Sequence, residues 1–244
     1  MNDAERPSVG LMLTSAGAFL GETWEPLLRF YGLDEWLFSF MKSLIRWNPK
    51  LYDLLSPFYD VIAGWFFPMA ENGRRLALKG AESGRILDVA CGTGALLLSV
   101  ERLGLRGVGV DGSRGMLNQA RGKLTKTFLI QGDFYALPFA DESFDLVLET
   151  NAVSGSDIDS ERVVAEMLCL CKRGREVRFV DYTPIADAGF VRRLLIKLGE
   201  VIGDQPFDYD DYCSCLGYAP EKQVLGWRGM YQMVRVKKEV SRGL

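Results

Sequence analysis

Three aspartates close to apolar segments are the residues of this 244-residue chain whose types and spacing point most directly to chemistry. Asp88 lies in RILDVACGTGALLLSV, where an apolar run leads into a turn that contains Gly92 and Gly94. Glycines in such a turn let a ligand approach the main chain, and the helix that follows offers free N–H groups. Asp111 ends GVGVD, and Asp133 lies in QGDFYALPF. The pattern predicts a site for a nucleotide-like cofactor.

Two classes of cofactor compete for this turn. A nicotinamide or flavin dinucleotide uses G-x-G-x-x-G, in which the third glycine lets helix and strand pack closely. Here GTGALL has Leu97 at that position, and Asp88 precedes the turn, where it would repel a pyrophosphate. A cationic ligand suits this carboxylate better. S-adenosylmethionine, with an ammonium, a sulfonium and no phosphate, is the predicted cofactor; Asp111 would accept from its ribose hydroxyls and Asp133 from its adenine amino group.

Composition and charge argue against several other classes of protein. The hydrophobic fraction of 48% and the formal charge of −3 are those of an ordinary globular protein, without a basic stripe for nucleic acid. Histidine, the commonest general base and metal ligand, is absent from the sequence. We therefore expect no nucleic-acid partner and no metal. A monomer or a homodimer is expected.

The cysteines and one acidic segment leave alternatives open. Cysteine pairs spaced C-x-C differ from the usual C-x2-C of zinc sites, so we expect structural thiols, with a thiol-based substrate site as the alternative. The cysteines are Cys91, Cys169, Cys171, Cys213 and Cys215. The segment GDQPFDYDDY is expected to be a solvated loop near the site, with a metal cluster as the alternative. Its aspartates are Asp204, Asp208, Asp210 and Asp211.

No segment is predicted to cross a membrane. The uncharged run over residues 8–21 has no positively charged start and is shorter than the ~20 apolar residues that a span needs. The uncharged run over residues 61–70 is shorter still. We expect a cytoplasmic protein and leave open a peripheral contact between its N-terminal helices and a membrane.

Strand-like and helix-like patterns alternate from about residue 83 onward. The predicted strands are residues 85–90, 107–111, 128–131, 144–149 and 176–182, and the predicted helices are residues 95–103, 113–123, 158–171 and 186–202. Short apolar strands separated by helices predict a parallel sheet covered on both faces. Residues 222–238 predict an antiparallel pair. The predicted fold is α/β, a doubly wound, mostly parallel seven-stranded sheet with a C-terminal antiparallel hairpin.

The residues before residue 83 differ from the rest of the chain in composition and in hydrophobic pattern. This segment is rich in aromatic residues and helical in pattern, and residues 33–47 carry a wide apolar face. We predict two domains: an N-terminal helical cap over residues 1–82 and a Rossmann-like domain over residues 83–244. The Rossmann-like domain is expected to bury its own core without the helices of the cap.

Residues 83–239 resemble the class I S-adenosylmethionine-dependent methyltransferases. The motifs of the resemblance are the DVACGTG turn, VGVDGS and GDFYALPFADESFDLVLE. EMLCLCKRGREVRFVDY is similar to a helix, turn and strand of the branch that includes the ubiquinone and menaquinone C-methyltransferases. Ala90 replaces the first glycine of the family's loop, which we expect to be a mild change. Arg173, Gly174 and Arg175 replace a Pro-Gly-Gly turn.

The resemblance implies a role for each matching position. The methionine end of the cofactor would be held at the glycine turn, its ribose after the second strand and its adenine by the residues that follow. The cofactor-binding residues implied are Asp88, Ala90, Gly92, Gly94, Asp111, Gly112, Met116, Asp133, Phe134, Glu149 and Thr150. Glu149, Thr150 and Asn151 would lie where the methyl group leaves. Tyr52-Asp53 and Tyr59-Asp60 are both similar to a Tyr-Asp pair of these enzymes. Tyr59 is favoured as the residue that helps to close the pocket, with simple core packing as the alternative.

The predicted reaction is a direct displacement at the sulfonium carbon, which chiefly needs an aligned nucleophile. A base is needed only where the nucleophile keeps its proton. The catalytic candidates are Glu149, Tyr59 and Asp181, with Tyr182 or an ordered water as alternatives. Because an Asn/Asp-Pro-Pro-Tyr motif is absent, transfer to amino groups of DNA bases or glutamine is disfavoured.

The leading hypothesis is methyl transfer to a small, largely apolar acceptor such as a quinol, a polyketide or a lipid. The alternatives are a phospholipid N-methyltransferase at the membrane surface and a non-catalytic protein that binds the cofactor or a partner on this fold. Residues 33–47 and 52–69 are predicted to form a lid that walls the acceptor pocket and excludes water from it. A dimer interface or a membrane foot is the alternative role of these helices.

Overall fold

The computed structural model describes residues 49–66, 70–81, 83–154, 158–183, 206–225 and 231–239. The helical segments predicted over residues 33–47 and 186–202 lie outside the described residues, as does the end of the predicted lid after residue 66. Among the helices that are described, none is long and apolar enough to cross a lipid bilayer.

One seven-stranded sheet organises the described part of the chain, in the order β3-β2-β1-β4-β5-β7-β6. Its strands are β1 (Arg85–Val89), β2 (Arg106–Asp111), β3 (Phe128–Gln131), β4 (Phe144–Thr150), β5 (Cys171–Tyr182), β6 (Glu221–Leu225) and β7 (Tyr231–Lys237). β1 to β5 are parallel, and β7 is antiparallel to β5 and β6. The predicted fold is confirmed. The winding direction switches between β1 and β4, which is where ligands bind in such sheets.

The helices of the described residues precede and connect these strands. They are α1 (Pro49–Leu55), α2 (Tyr59–Phe66), α3 (Ala70–Ala77), α4 (Ala95–Arg102), α5 (Arg114–Arg121), α6 (Ser160–Leu170) and α7 (Tyr209–Cys215), with a 3-10 helix over Ser56–Phe58. Local caps explain where several begin. The Ser113 hydroxyl accepts from the Met116 N–H at 3.1 Å at the start of α5, and Asp159 accepts from the Arg162 N–H at the start of α6.

Strand β5 is longer than predicted. The sequence predicts a strand from residue 176, whereas β5 begins at Cys171, immediately after α6. Cys171 pairs with Phe144 and Glu176 pairs with Leu146, so the residues between Cys171 and Glu176 form an irregularity in the ladder. This bulge contains the charged residues that read as a turn in the sequence, because its register is set by pairing with a distant strand.

Helix α3 completes one face of the sheet. Ala77 and Leu78 are buried in a core cluster with residues of the sheet such as Ile86 and Val180. Arg178 of β5 is buried beneath the carboxyl end of α3, and its Nη1 donates to the carbonyl of Ala77 at 2.6 Å and to that of Lys79 at 2.8 Å. Residues before residue 83 therefore contribute to the buried core of the sheet, and whether the sheet can bury its core without them stays a prediction. Residues 45–244 form one compact unit; the division of the chain at residue 83 stays a prediction.

Candidate active site

A turn in which Ala90, Gly92 and Gly94 have positive φ connects β1 to α4. A Cβ atom built on Gly92 would meet no atom within 4 Å, whereas one on Gly94 would lie 2.7 Å from Cδ1 of Leu124. Gly92 thus borders open space that a ligand can enter, and Gly94 allows the turn to pack closely against its neighbours. The two glycines of the predicted cofactor turn have different physical roles.

Ala90 is a larger departure from the family's glycine than the sequence suggests. Its φ is 56°, in the left-handed region where a Cβ atom costs about 1–2 kcal/mol. We expected a mild change because alanine adds only one methyl group. That expectation did not include the cost of the positive φ at Ala90. The Ala90 side chain is half-buried and packs against the main core cluster, so burial of the methyl offsets part of this strain.

Asp88 presents an unpartnered acceptor at the end of β1. The residue is 2% exposed, and its Oδ1 has no hydrogen-bond partner among the described residues. Burial and then the nearby Asp111 carboxyl raise the pKa of Asp88 well above its usual value, while Arg74 of α3 acts in the opposite direction. A buried acceptor of this kind fits a cationic donor such as an ammonium group, because pairing removes the cost of leaving it unsatisfied.

Asp111 ties the ends of β1 and β2 together. Its Oδ2 accepts from the Gly92 N–H and its Oδ1 from the Ser113 N–H, both at 2.8 Å. Burial raises the pKa of Asp111, and these two bonds act to lower it. Each carboxylate oxygen has more than one acceptor direction, so Asp111 can hold the glycine turn and still receive ribose hydroxyls.

The predicted adenine-side residues follow β2 and β3. Gly112 is half-buried and its carbonyl accepts from Nε2 of Gln131 at 3.1 Å. Met116 and Phe134 are both buried, at 2% and 4% exposure. Asp133 is exposed, and its Oδ1 accepts from the Tyr135 N–H at 2.9 Å. These positions lie beside the carboxyl edge of the sheet, as predicted, and their contacts with a cofactor stay a prediction.

Glu149 and Asp181 meet at the carboxyl ends of β4 and β5, where both are fully buried. Oε2 of Glu149 accepts from the Ala152 N–H at 3.2 Å, while its Oε1 has no hydrogen-bond partner among the described residues. Burial, and then the charges of Asp181 and Asp88, raise the pKa of Glu149 well above its usual value. Thr150, which follows in β4, is half-buried and pairs with β5.

The residues around Tyr59 attach α1 and α2 to the glycine turn and to α5. Asp60 accepts from Oγ1 of Thr93 at 2.5 Å and from Nζ of Lys123. Asp53 accepts from the Ser113 hydroxyl and the Gly115 N–H, both at 2.6 Å. Burial raises the pKa of Tyr59 to about 12, with further contributions from Tyr52, Asp111 and Asp60. Tyr59 therefore keeps its proton at neutral pH and has a hydroxyl that can donate a hydrogen bond.

Sequence reasoning missed Tyr209 and the attachment made by Asp53 and Asp60. The repeat of Tyr-Asp at an interval of about two helical turns was a signal that both aspartates share one side of the segment. The GDQPFDYDDY segment was expected to be a solvated loop, but Tyr209 is fully buried at the start of α7. Asp208 caps that helix by accepting from the Asp211 N–H at 3.2 Å. An aspartate before an acidic first turn is a helix-start signal.

The cysteines of the described residues are free thiols, and Cys91, Cys171 and Cys213 are buried. Burial raises the pKa of Cys213 to about 12, which keeps its thiol protonated. In the described ranges, no three or more cysteines and carboxylates are grouped so that they could hold a metal ion. Asp204 lies outside those ranges.

Residues 86–174 match a protein family described as a methyltransferase domain. Together with the fold and the carboxylates around the glycine turn, this match identifies residues 86–174 as a domain of the class I S-adenosylmethionine-dependent methyltransferases. The predicted resemblance, the enzyme class and S-adenosylmethionine as cofactor are confirmed for this domain. Asp88, with its unpartnered oxygen, and the open side of Gly92 fit that cofactor.

Relatives of known name include enzymes for two kinds of acceptor. The demethylmenaquinone methyltransferase of Renibacterium salmoninarum is 34% identical over 137 residues, covering 54% of this chain and 57% of the relative. The phosphatidylethanolamine N-methyltransferase of Cereibacter sphaeroides is 37% identical over 126 residues, covering 48% of this chain and 61% of the relative. The chain thus spans 57% and 61% of these relatives, and the activity of the whole protein is a proposal.

The structure of the DhpI–SAH complex has the same fold. It superposes with a TM-score of 0.63, covering 80% of this chain and 97% of that one at 19% identity. At this level of identity the similarity concerns the fold, and the acceptor of that protein carries no information about the acceptor of this one.

Proposed function

We propose that this protein transfers the methyl group of S-adenosylmethionine to a small, largely apolar acceptor such as a quinol, a polyketide or a lipid. The observation that carries the proposal is the buried Asp88 carboxyl beside the open side of Gly92, because its Oδ1 has no partner in the described part of the chain. A dinucleotide would bring a pyrophosphate to this acceptor, whereas S-adenosylmethionine brings an ammonium group. Leu97, at the position where a dinucleotide site has glycine, also favours S-adenosylmethionine over a dinucleotide.

The described residues have distinct binding tasks in this proposal. Asp88 accepts from the ammonium group, Gly92 offers its open main chain to the methionine end, and Asp111 accepts from the ribose hydroxyls. Gly112, Met116, Asp133 and Phe134 surround the adenine. The cofactor supplies a methyl carbon that is activated by its bond to a positively charged sulfur.

The catalytic tasks fall to the residues at the ends of β4 and β5. Glu149 receives a proton from an acceptor that reacts as a hydroxyl or an amine, and Asp181 supports Glu149 through the hydrogen bonds around it. Tyr59, which keeps its proton, donates a hydrogen bond and holds α2 over the glycine turn. The bond from Thr93 to Asp60 supports the role of residues 52–66 as part of a lid, since it attaches this segment directly to the turn.

Calorimetry tests the cofactor site without knowledge of the acceptor. S-adenosylmethionine and S-adenosylhomocysteine should bind and NAD should not. Asp111→Ala should weaken binding by about 1.5–3 kcal/mol, the range for hydrogen bonds to a charged group. Asp141→Ala, on an exposed loop before β4, is the matched control and should bind as the wild type does. Tighter binding of NAD, or normal binding by Asp111→Ala, would show that the turn has another ligand.

Release of S-adenosylhomocysteine in the presence of a library of quinols, polyketides and lipids then tests catalysis. Release that depends on an acceptor and is lost in Glu149→Gln supports the proposal. Binding without release for any acceptor in the library would favour the non-catalytic alternative, in which the fold binds the cofactor or a partner only.

A phospholipid N-methyltransferase that works at a membrane surface is the second candidate. Leu54 of α1, Phe58 of the 3-10 helix and Val61 of α2 are exposed by 74%, 64% and 68%. Exposed apolar side chains in this segment favour contact with lipid, and one relative is named for such an acceptor. Flotation with phosphatidylethanolamine vesicles should carry the wild type but not Phe58→Ser with Val61→Ser. Full activity on a soluble acceptor without flotation would reject this candidate.

A further inference from the structure

The hydroxyl of Tyr209 lies between the two buried carboxyl groups of the site. It donates to Oδ2 of Asp181 at 2.8 Å and is hydrogen-bonded to Glu149 as well. The ring is held firmly, because it stacks on Phe179 at 4.6 Å between centroids and meets the edge of Phe207 at 5.0 Å. Tyr209, Glu149 and Asp181 are each 0% exposed. Bulk solvent therefore does not reach these contacts.

The hydrogen-bond donors around each carboxyl group decide where a proton resides. A phenol has one proton, so Tyr209 donates to one carboxyl and accepts from the other. Asp181 already receives the Tyr182 N–H at 2.7 Å and bonds from Ser154, both hydroxyl and backbone. Glu149 receives only the long bond from Ala152 besides its contact with Tyr209. Burial raises the pKa of both carboxyl groups, but Asp181 has more hydrogen-bond donors around it than Glu149, which favours the shared proton on Glu149.

The charged groups that face Glu149 favour the same assignment. The neighbouring strand β1 contributes Asp88, β5 contributes Asp181 and α7 contributes the neutral Tyr209. Arg74 of α3 and Asp111 of β2 lie beyond Asp88 and act on it. Burial and these negative neighbours raise the pKa of Glu149, which favours its protonated form in the cofactor-free protein. A positive charge that enters this site lowers the pKa of Glu149 and favours its carboxylate form.

The register of the sheet brings Glu149 next to the place where that charge arrives. Glu149 pairs with Val89, the last residue of β1 before the glycine turn. Its unpartnered Oε1 is the acceptor that this arrangement leaves available. S-adenosylmethionine carries one more positive charge than S-adenosylhomocysteine, on the sulfur from which the methyl group departs.

We propose that Tyr209 is a positioning residue that keeps the shared proton on Glu149, and that Glu149 releases this proton when the positively charged cofactor binds. The proposal rests on the proposed function. Glu149 then stands as a carboxylate beside the reacting atoms. In the transfer, the carbon–sulfur bond breaks with its electron pair left on sulfur, and a bond forms between the carbon and the acceptor. The acceptor's proton passes to Glu149, which returns the cluster to its resting state with the less positive product.

Calorimetric titrations in buffers of different ionisation enthalpy test this proposal, because they count the protons exchanged on binding. Near neutral pH the wild type should release up to about one proton more with S-adenosylmethionine than with S-adenosylhomocysteine. Glu149→Gln should bind both ligands without that difference, since glutamine has the shape of the protonated side chain and can donate to Tyr209. Tyr209→Phe should shift the midpoint of release to higher pH, because the ionised pair loses a donor.

Tyr212→Phe is the matched control on the same helix. The Tyr212 hydroxyl bonds to the Glu161 carbonyl at 3.2 Å, away from Glu149, so this variant should exchange protons as the wild type does. Equal proton counts for the two ligands in the wild type would overturn the proposal, and so would an unshifted midpoint in Tyr209→Phe. If Tyr209→Phe fails to fold by circular dichroism, the result for Glu149→Gln decides. Failure of both ligands to bind the wild type would instead overturn the proposed function.

Discussion

Replacing Arg178 by methionine removes the group that fastens α3 to the sheet while keeping a long apolar side chain in place. A hydrogen bond from a charged group contributes about 1.5–3 kcal/mol, and the cation at the helix carboxyl end adds about 0.3–1 kcal/mol. Nη1 has two hydrogens, one for each carbonyl, so the substitution removes both hydrogen bonds. Methionine also avoids the cost of burying a guanidinium. We expect the free energy of unfolding to fall by about 2–3 kcal/mol.

Urea denaturation followed by circular dichroism measures this change, and the Tm should fall by about 4–12 °C for a chain of this size. Arg173→Met is the control, because Arg173 makes an ion pair with Glu142 at 2.8 Å in which both side chains are largely exposed. Such a pair contributes about 0–1 kcal/mol. Equal stability of the two variants would refute the conclusion that Arg178 holds α3 in the core.

Lowering the pH from about 8 to about 5 should stabilise the cofactor-free protein against urea, because the raised pKa of Glu149 means that the folded state binds more protons than the unfolded chain. Glu149→Gln should reduce this dependence of the free energy of unfolding on pH. A free energy of unfolding that rises with pH over the same range would contradict the prediction. Below about pH 5, stability should instead fall with falling pH because of Glu101. Burial acts to raise the pKa of Glu101, but hydrogen bonds lower it to about 2, so the stability that its carboxylate contributes is lost as the pH falls. Gly94→Ala should cost about 2 kcal/mol or more in unfolding experiments, since its φ of 78° and the 2.7 Å approach of Leu124 both oppose a methyl group. Gly104→Ala, with a φ of 73° and no atom within 4 Å, is the control that should show the backbone cost alone.

The strands and the carboxylates at their ends could be predicted because they follow from local pattern. Asp88 and Asp111 lie at or beside the last residue of apolar runs, and parallel strands bring such residues to one edge of the sheet. Strand β3 was predicted with its exact ends, Phe128 and Gln131, because its boundaries coincide with polar and glycine residues on either side.

The contacts that required distant partners could not be predicted in the same way. The position of Tyr209 between Glu149 and Asp181 depends on how the chain returns after β5, about which the sequence around residue 209 has no information. The bond between Arg178 and α3 joins residues 101 positions apart. The φ of Ala90 was missed because alanine normally indicates ordinary backbone, and only the fold of the turn imposes a left-handed conformation there.

The long separation between α3 and Arg178 also affects synthesis of the chain. Helix α3 leaves the ribosome before any strand of the sheet, but its carboxyl end is capped by a side chain 101 residues later. At about 5–20 residues per second, roughly 5–20 s pass before that cap exists. During this interval the sheet against which the apolar residues of α3 pack is incomplete. These residues are therefore exposed to chaperones and to other nascent chains. Among the described residues of the core, those of α3 are therefore made first, but their contacts with Arg178 form about 100 residues later.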